Sequence, residues 1–580
     1  MLIHVNSAKC IGIDAVKVTV ETDIDRGIGI HLVGLADIAV KESLLRTTTA
    51  LASLGYQIPG KKIVINLAPA DLHKSGSGYD LPIALGIVAA SGRRELPLLE
   101  KYLVLGELGL DGSVRDIPGG LPCAELAAKE GFAGCILPLR SALEAVEYPG
   151  IEVYGVGNFE EVVRILSGEE DCSDLLIRHS AAFRELCSRR RPAGGSSGPE
   201  LDFADIIGQE GAKRGVEIAA AGGHNLVMVG PPGAGKSSLA RAMAGILPEM
   251  TLEESLITSK IYSVSGHGRE QYSLMRRRPF RAPHYSASLP AIIGGGADRL
   301  IPGEVSLAHN GVLFLDELGQ MPKSVIEALR APIEDRKVVI SRLRSKIEFP
   351  CSFMLAAASN PCPCGYWGEG DRCTCTPAQR AAYLSKLSGP ILDRIDLHLW
   401  VRPVPASSIA AAKGAPGSGD ASGGAGAAPG RSSASGGAGA FSGSGTAPGR
   451  ASASGGGAFG GSGAGRESSA MVAAREPSSA VAARVAAARK IQQRRFRDED
   501  IATNAEMNNK QVEHYCPLDE TCTATMATLM EKMGLSMRAY YRIIKVARTI
   551  ADIEGAPQIR REHLIEAASF RFLDRRNILE

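Results

Sequence analysis

The sequence predicts a multidomain α/β protein, with a nucleotide-binding α/β core set between a mixed α+β segment and a helical C-terminal one. Three observations carry that reading. Asn225-Leu-Val-Met-Val229 is an apolar run that leads into Gly230-Pro-Pro-Gly-Ala-Gly-Lys-Ser237 and then into the helix-forming Ser238-Leu-Ala-Arg-Ala-Met-Ala244. That is the strand, glycine loop and helix order of a phosphate-binding loop. Residues 1–166 alternate short strands of period 2, such as Ala15–Val20 and Lys62–Asn66, with buried-type helices such as Leu81–Ala90. Residues 478–580 are rich in Ala, Arg, Leu and Met and read as helical again.

A length of 580 residues suits three or four domains of ~100–200 residues each. The formal net charge is +2, which excludes a global basic field and leaves any nucleic-acid contact to local clusters. The start, Met1-Leu-Ile-His-Val-Asn6, lacks the cationic stretch and long apolar run of a secretory signal. The chain also has no run of the ~18 apolar residues that a bilayer span needs. The expectation is a cytoplasmic protein with no membrane partner and reduced thiols.

Between the segments, residues 167–200 turn to charge and then to Arg189-Arg-Arg-Pro-Ala-Gly-Gly-Ser-Ser-Gly198, a linker composition. Residues 201–402 hold the nucleotide motifs. Over 403–477 the composition collapses to Gly, Ala, Ser and Pro, and Ala428–Gly437 nearly recurs as Ala447–Gly456. So little apolar surface cannot offset the entropy of ordering, so this stretch is expected to be a disordered insertion enlarged by duplication. Its Arg431, Arg450 and Arg466 could brush nucleic acid, or the stretch could be a plain tether.

The nucleotide loop comprises Gly230, Pro231, Pro232, Gly233, Ala234, Gly235, Lys236 and Ser237, with Ser238 opening the helix. Its glycines let backbone N–H groups face phosphate oxygens, and the helix N-terminus adds positive potential. Lys236 is expected on the β- and γ-phosphates of ATP, and Ser237 on Mg²⁺. A second apolar strand, Gly311-Val-Leu-Phe-Leu-Asp-Glu317, ends in two acids. Asp316 would hold the metal's hydration shell, and Glu317 would act as general base toward water. A third, Ser352–Ala358, runs into Ser359-Asn360. Asn360 either helps hold water near the γ-phosphate or is a turn residue before Pro361. Arg394, flanked by acids in Gly389-Pro-Ile-Leu-Asp-Arg-Ile-Asp396, is either a surface ion pair or an arginine finger acting on a neighbour's site.

Cys362-x-Cys364 and Cys373-x-Cys375 form a fourth constellation. Four thiols on one loop could close a tetrahedral Zn²⁺ site. The short spacing strains joint ligation, and four reduced loop cysteines is the other reading. Arg276-Arg-Arg278, Arg489-Lys490, Arg494-Arg495 and Arg497 are local basic clusters, suited to phosphates or to a solvated helix face.

These motifs resemble the magnesium-chelatase-like branch of AAA+ ATPases, and the whole chain resembles its ComM/YifB subfamily. Besides the nucleotide motifs, the resemblance is carried by Asp202–Gln209, Glu217–Asn225, Arg278–His284, Pro302–Glu317, Asn360–Gly365, Gly389–Asp396 and Leu535–Ile544. It implies an AAA+ P-loop core, a C-terminal helical lid over 478–580, and a homo-hexameric ring. The implied activity is ATP-driven translocation on single-stranded or branched DNA, similar to branch-migration helicases of homologous recombination in natural transformation. Asn360 matches the family's γ-phosphate sensor and Arg394 its arginine finger. Arg538 falls in the segment of the second sensor, with Arg542 the alternative. The family has His-His where this chain has His284-Tyr285.

The N-terminal residues 1–166 resemble the Lon-protease fold, an α+β domain. Lys74–Pro82 lies where the nucleophile loop belongs, and Leu105–Val114 resembles the strand pair that leads to the catalytic lysine. The nucleophile position falls on Gly78 and the lysine position near Pro122, so serine–lysine chemistry is not expected. Ser75 and Ser77 read as turn residues. A regulated protease is therefore disfavoured. A chelatase motor subunit is the alternative, and the Lon-like segment, which such subunits lack, separates the two. A binding-only module fits poorly with Lys236, Asp316 and Glu317 all present.

Overall fold

The computed structural model describes residues 2–35, 37–169, 171–189, 201–266, 274–296, 300–342, 345–387, 391–404 and 475–574. From 405 to 474 the Gly/Ala/Ser-rich insertion lies outside them, as does the end of the linker. Everything described below belongs to one compact unit.

The N-terminal segment is built on a seven-stranded mixed sheet. Its order is Gly29–Val33, Lys62–Ala68, Asp14–Asp25, Ile3–Ile11, Tyr102–Val104, Gly134–Pro138 and Glu152–Val156. The two longest strands form a hairpin in which Ile11 pairs with Asp14, and Gly12 supplies the positive φ of 64° that so tight a turn needs. The apolar stretch read as a buried helix is one, Asp80–Ala90, and it is buried from Asp80 through Val88. Gly86 lets this helix lie flat on the hairpin, because a Cβ there would sit 2.4 Å from Thr22 Oγ1. The single buried acid of the helix, Asp80, accepts from Arg46 Nε at 2.8 Å and from Ser43 Oγ.

The stretch 167–200 was expected to be a linker from its charge, yet its first part is ordered. Turns at Ser173–Leu175 and Ile177–His179 lead to a helix at Ala181–Arg189. The cause is local apolarity: Ile177 is fully buried and Cys172 nearly so, both against the N-terminal core.

The second sheet has five strands in the order Phe280–Arg281, Val312–Leu315, Met354–Ser359, Leu226–Val229 and Leu397–Trp400. All its pairings are parallel. The strands are near-continuous apolar runs, as a sheet covered on both faces requires. Helices Glu210–Gly222 and Lys236–Ile246 share one core with the C-terminal helices Ser478–Arg495 and Met537–Ile553. Chain on either side of the insertion meets directly there, where Phe203 N donates to Ser478 Oγ at 2.8 Å and Ser478 N to Asp202 Oδ1 at 2.8 Å.

Helix Leu252–Ser265 joins this sheet to the N-terminal one. Lys260 Nζ donates to Asp14 at 2.8 Å and to Glu125 at 2.7 Å, Ser263 Oγ donates to Glu144, and Gly119 N donates to Ser263 O at 3.2 Å.

Candidate nucleotide site

The strand order brings the predicted nucleotide residues together. Met354–Ser359 lies between Leu226–Val229 and Val312–Leu315. Residues leaving the C-terminal ends of these three strands therefore converge: Gly230 onward, Asp316 with Glu317, and Asn360. In a parallel sheet this end is where ligands bind.

Gly230 has to be glycine, because a Cβ there would lie 2.1 Å from the carbonyl oxygen of Val401. Gly233 and Gly235 have φ of 76° and 91°, a left-handed conformation that other residues adopt at a cost of about 1–2 kcal/mol. Pro231, Pro232 and Ala234 complete the loop. Helix Lys236–Ile246 starts directly after Gly235, with Ser238 in its first turn.

Lys236 is buried, and its Nζ donates to Gly230 O at 2.6 Å, Pro231 O at 3.0 Å and Asn360 Oδ1 at 3.2 Å. Burial pulls its pKa down, while Asp316 and Glu317 pull it back up. Ser237 Oγ donates to Asp316 Oδ2 at 3.0 Å. The other carboxylate oxygen accepts from Glu317 N at 2.9 Å, and Glu317 itself sits at a φ of 51°. A hydroxyl and a carboxylate in mutual contact form a hard-oxygen pair that fits Mg²⁺. Glu317 stands half-buried beside them. The arrangement can hold a metal–triphosphate and present a carboxylate to water.

Arg394 and Arg538 are elsewhere. They line a cavity of about 400 Å³ together with Asn225, Glu334, Asp393 and Arg542. Asn225 precedes the strand whose far end carries Gly230, and Asn225 Nδ2 donates to Arg394 O at 3.1 Å. The cavity thus sits at the N-terminal ends of the strands, with a strand of four residues, ~13 Å, between it and the loop. Arg394 is 5% exposed and ion-paired with Glu334. Arg538 is 69% exposed and touches Asp393 at 3.2 Å. Arg542 is inward and donates to Asp396 at 2.9 Å. Asp396 also accepts from His224 Nδ1 at 3.0 Å.

Several groups here were missed in the sequence. Glu334, Asp396 and His224 acquire their roles through partners far along the chain. Gln209, whose Nε2 donates to Ala234 O at 3.2 Å and to Arg402 O, braces the loop from below. Its motif was visible, but its task was not.

The basic clusters divide. Arg278 is spent on structure: it grips Glu254 with two nitrogens at 2.9–3.1 Å and donates to the carbonyls of Pro248 and Asn310. Arg489 donates to Ala220 O, and Arg495 to Asp552. Arg276, Arg277, Lys490, Arg494 and Arg497 are exposed. In the N-terminal segment, Pro122 lies buried in helix Gly120–Lys129, Ser77 Oγ donates to Glu107, and Lys74 is fully buried and donates to Pro69 O.

Three family models match the chain: "Magnesium chelatase, subunit ChlI" over 202–409, "Subunit ChlI of Mg-chelatase" over 20–141, and "Magnesium chelatase, subunit ChlI C-terminal" over 475–571. Protein YifB of Escherichia coli K12 is 38% identical over 579 residues, covering 99% of this chain and 97% of its own. The competence protein ComM of Haemophilus influenzae is 37% identical over 574 residues, covering 98% and 97%. The chain belongs to the ComM/YifB subfamily of magnesium-chelatase-like proteins. This family is AAA+-like, with mixed α/β content and a parallel sheet, as the five-stranded core has. The magnesium-chelatase 38 kDa subunit of Rhodobacter capsulatus is 25% identical over 192 residues, covering 29% of this chain and 53% of its own. No helix among the described residues is long and apolar enough to cross a membrane.

Proposed function

We propose that the chain is an ATP-hydrolysing ring motor that works on DNA. The carrying observation is that Lys236, Ser237, Asp316, Glu317 and Asn360 meet at one end of the sheet while Arg394 and Arg538 meet at the other. One subunit then holds two halves of a site that face opposite ways, which suits a head-to-tail homo-hexamer.

In this reading Gly230 to Ser238 bind ATP. Lys236, now donating to loop carbonyls, turns onto phosphate oxygens. Ser237 and Asp316 hold Mg²⁺, which neutralises charge on the phosphates when bound. Glu317 takes the proton of the attacking water, and Asn360 keeps that water in line. A neighbour's Arg394 and Arg538 meet the charge that develops on the transferred phosphoryl group. Arg538 is favoured over Arg542 as the second sensor, because Asp396 already holds Arg542. Arg394 must leave Glu334 when a neighbour docks, so an isolated subunit hydrolyses slowly.

The DNA part is supported by the relative named as a competence protein and by the exposed Arg276, Arg277, Lys490, Arg494 and Arg497. Single-stranded or branched DNA is the proposed partner, branch migration in recombination during natural transformation the proposed task, and the cytoplasm the place. Residues 1–166 are a Lon-like domain without peptidase chemistry, 201–402 the ATPase core and 478–580 the lid. A chelatase motor fits less well, since the match to the Rhodobacter subunit leaves most of the chain unaccounted for.

The test is the ATPase rate with and without single-stranded and branched DNA, alongside Glu317→Gln and strand displacement. DNA should stimulate hydrolysis, and Glu317→Gln should lower it by about 10² while ATP still binds. Absence of both DNA stimulation and strand displacement would reject the motor, and a Glu317→Gln rate equal to wild type would reject the base assignment.

A further inference from the structure

We propose that Cys362, Cys364, Cys373 and Cys375 bind one zinc ion, and that this ion clamps the loop after Asn360 against the nucleotide loop. The four sulfurs all lie within 4.8 Å of one another. Cys362 Sγ is 3.3 Å from Cys364 Sγ and 3.8 Å from Cys373 Sγ, and Cys364 Sγ is 3.7 Å from Cys373 Sγ. Zinc bonded to four thiolates at ~2.3 Å spaces its sulfurs ~3.8 Å apart, so the cluster already approximates the tetrahedron. Four soft sulfur donors with no oxygen or nitrogen among them select zinc over Mg²⁺ or Ca²⁺.

The loop has little regular structure of its own. Between Asn360 and the helix Pro377–Leu387, its only regular element among the described residues is the turn Gly370–Arg372. Ordering such a stretch costs ~1–2 kcal/mol per residue, and a tetrathiolate centre is a compact way to offset that cost.

The loop is nevertheless packed tightly where it matters. Cys362 is fully buried two residues after Asn360. A Cβ on Gly365 would stand 2.9 Å from Pro232 Cδ, and one on Gly368 would stand 3.2 Å from the Trp400 ring. Trp367 sets its edge on Trp400, and Arg380 covers Trp367 at 5.9 Å. The segment is a wedge between the nucleotide loop and the last strand of the sheet. Its base is Asn360, which accepts from Lys236. Zinc loading therefore fixes both Pro232 and Asn360, and metal loss loosens them together.

Full-length protein is gel-filtered in reducing buffer, its zinc measured by plasma mass spectrometry, and its affinity for a fluorescent ATP analogue measured without DNA. The expected content is about one zinc per chain. Cys373→Ser with Cys375→Ser should lower it at least tenfold, while Cys187→Ser, an exposed cysteine away from the cluster, should not. Chelator-stripped wild type, which avoids any folding defect of the variant, should bind the analogue at least tenfold more weakly and recover with zinc chloride. Less than about a fifth of a zinc per folded chain overturns the site. Full zinc with unchanged analogue affinity after stripping overturns the clamp. The coupling arm rests on the proposed nucleotide site. Zinc content does not, so a failed site and a failed ATPase reading are told apart.

Discussion

Replacing Asp396 with alanine removes one carboxylate that ties the foot of the core sheet to the C-terminal helices. Asp396 is buried and accepts from His224 Nδ1 at 3.0 Å and from Arg542 Nη1 at 2.9 Å. His224 in turn meets Thr549 Oγ1 at 2.8 Å, so helix Met537–Ile553 is held at two points. Burial alone would raise the carboxyl pKa; Arg542 and His224 overcome it and hold the group well below the ordinary range. Breaking such a pair from one side leaves Arg542, a half-buried cation, without its partner, at up to about 3–5 kcal/mol. At ~2–4 °C per kcal/mol for a cooperative unit of about 150–250 residues, the melting temperature should fall by ~6–20 °C, and by less if a larger body melts as one. The sign with pH follows from the depressed pKa. The contribution is complete above about pH 4, the unfolded value, and fades as pH falls further toward the folded one. Thermal melts of wild type and Asp396→Ala between pH 2.5 and 7 check this. A fall of under about 2 °C at pH 7 would refute the reasoning, and so would a gap that stays constant into acid.

His309 is buried, which pushes its pKa down to about 4, and its Nδ1 accepts from Ser352 N at 3.0 Å, so it must stay neutral. The unfolded imidazole binds its proton near pH 6.5, so stability is complete above that and should fall by up to roughly 3 kcal/mol toward pH 4. Denaturant titrations should show that His309→Gln flattens this slope. Gly230→Ala drives a methyl onto the Val401 carbonyl. It should cost about 1–3 kcal/mol of stability and weaken ATP-analogue binding at least tenfold, as read by titration. Lys260→Met removes the hydrogen bonds to Asp14 and Glu125. Calorimetry should show the N-terminal sheet melting earlier, by about 1–3 kcal/mol, with the core transition little changed.

Much of the fold was legible wherever the pattern is local. The apolar strands ending in Val229, Leu315 and Ser359 announce themselves; the first runs into the glycine loop, and the other two into Asp316 and Asn360, the polar residues that the site uses. Strand order is a different matter. Nothing near Asn360 in the chain says that its strand inserts between the other two, yet that insertion brings Asn360 to Lys236. Charge was the least readable property. Arg278, Arg489 and Arg495 look like their exposed neighbours, but Glu254, the Ala220 carbonyl and Asp552 claim them. The partners lie 24, 269 and 57 residues away. The same distance effect hid the order in residues 173–189, where Ile177 finds a core built more than twenty residues earlier.

A subunit whose loop and arginines point to opposite ends carries a direction, as a magnet does. In the proposed head-to-tail docking, where one subunit's arginines would complete the next one's loop, an open row always wastes one loop at one end and one arginine set at the other. Two subunits complete one site, three complete two, and the shortfall stays at one however long the row grows. Only closure removes it, because the last arginine set then meets the first loop. Activity per chain should therefore climb with assembly and step up once more on closing. A subunit that retains its loop but lacks Arg394 and Arg538 should silence a site that is not its own.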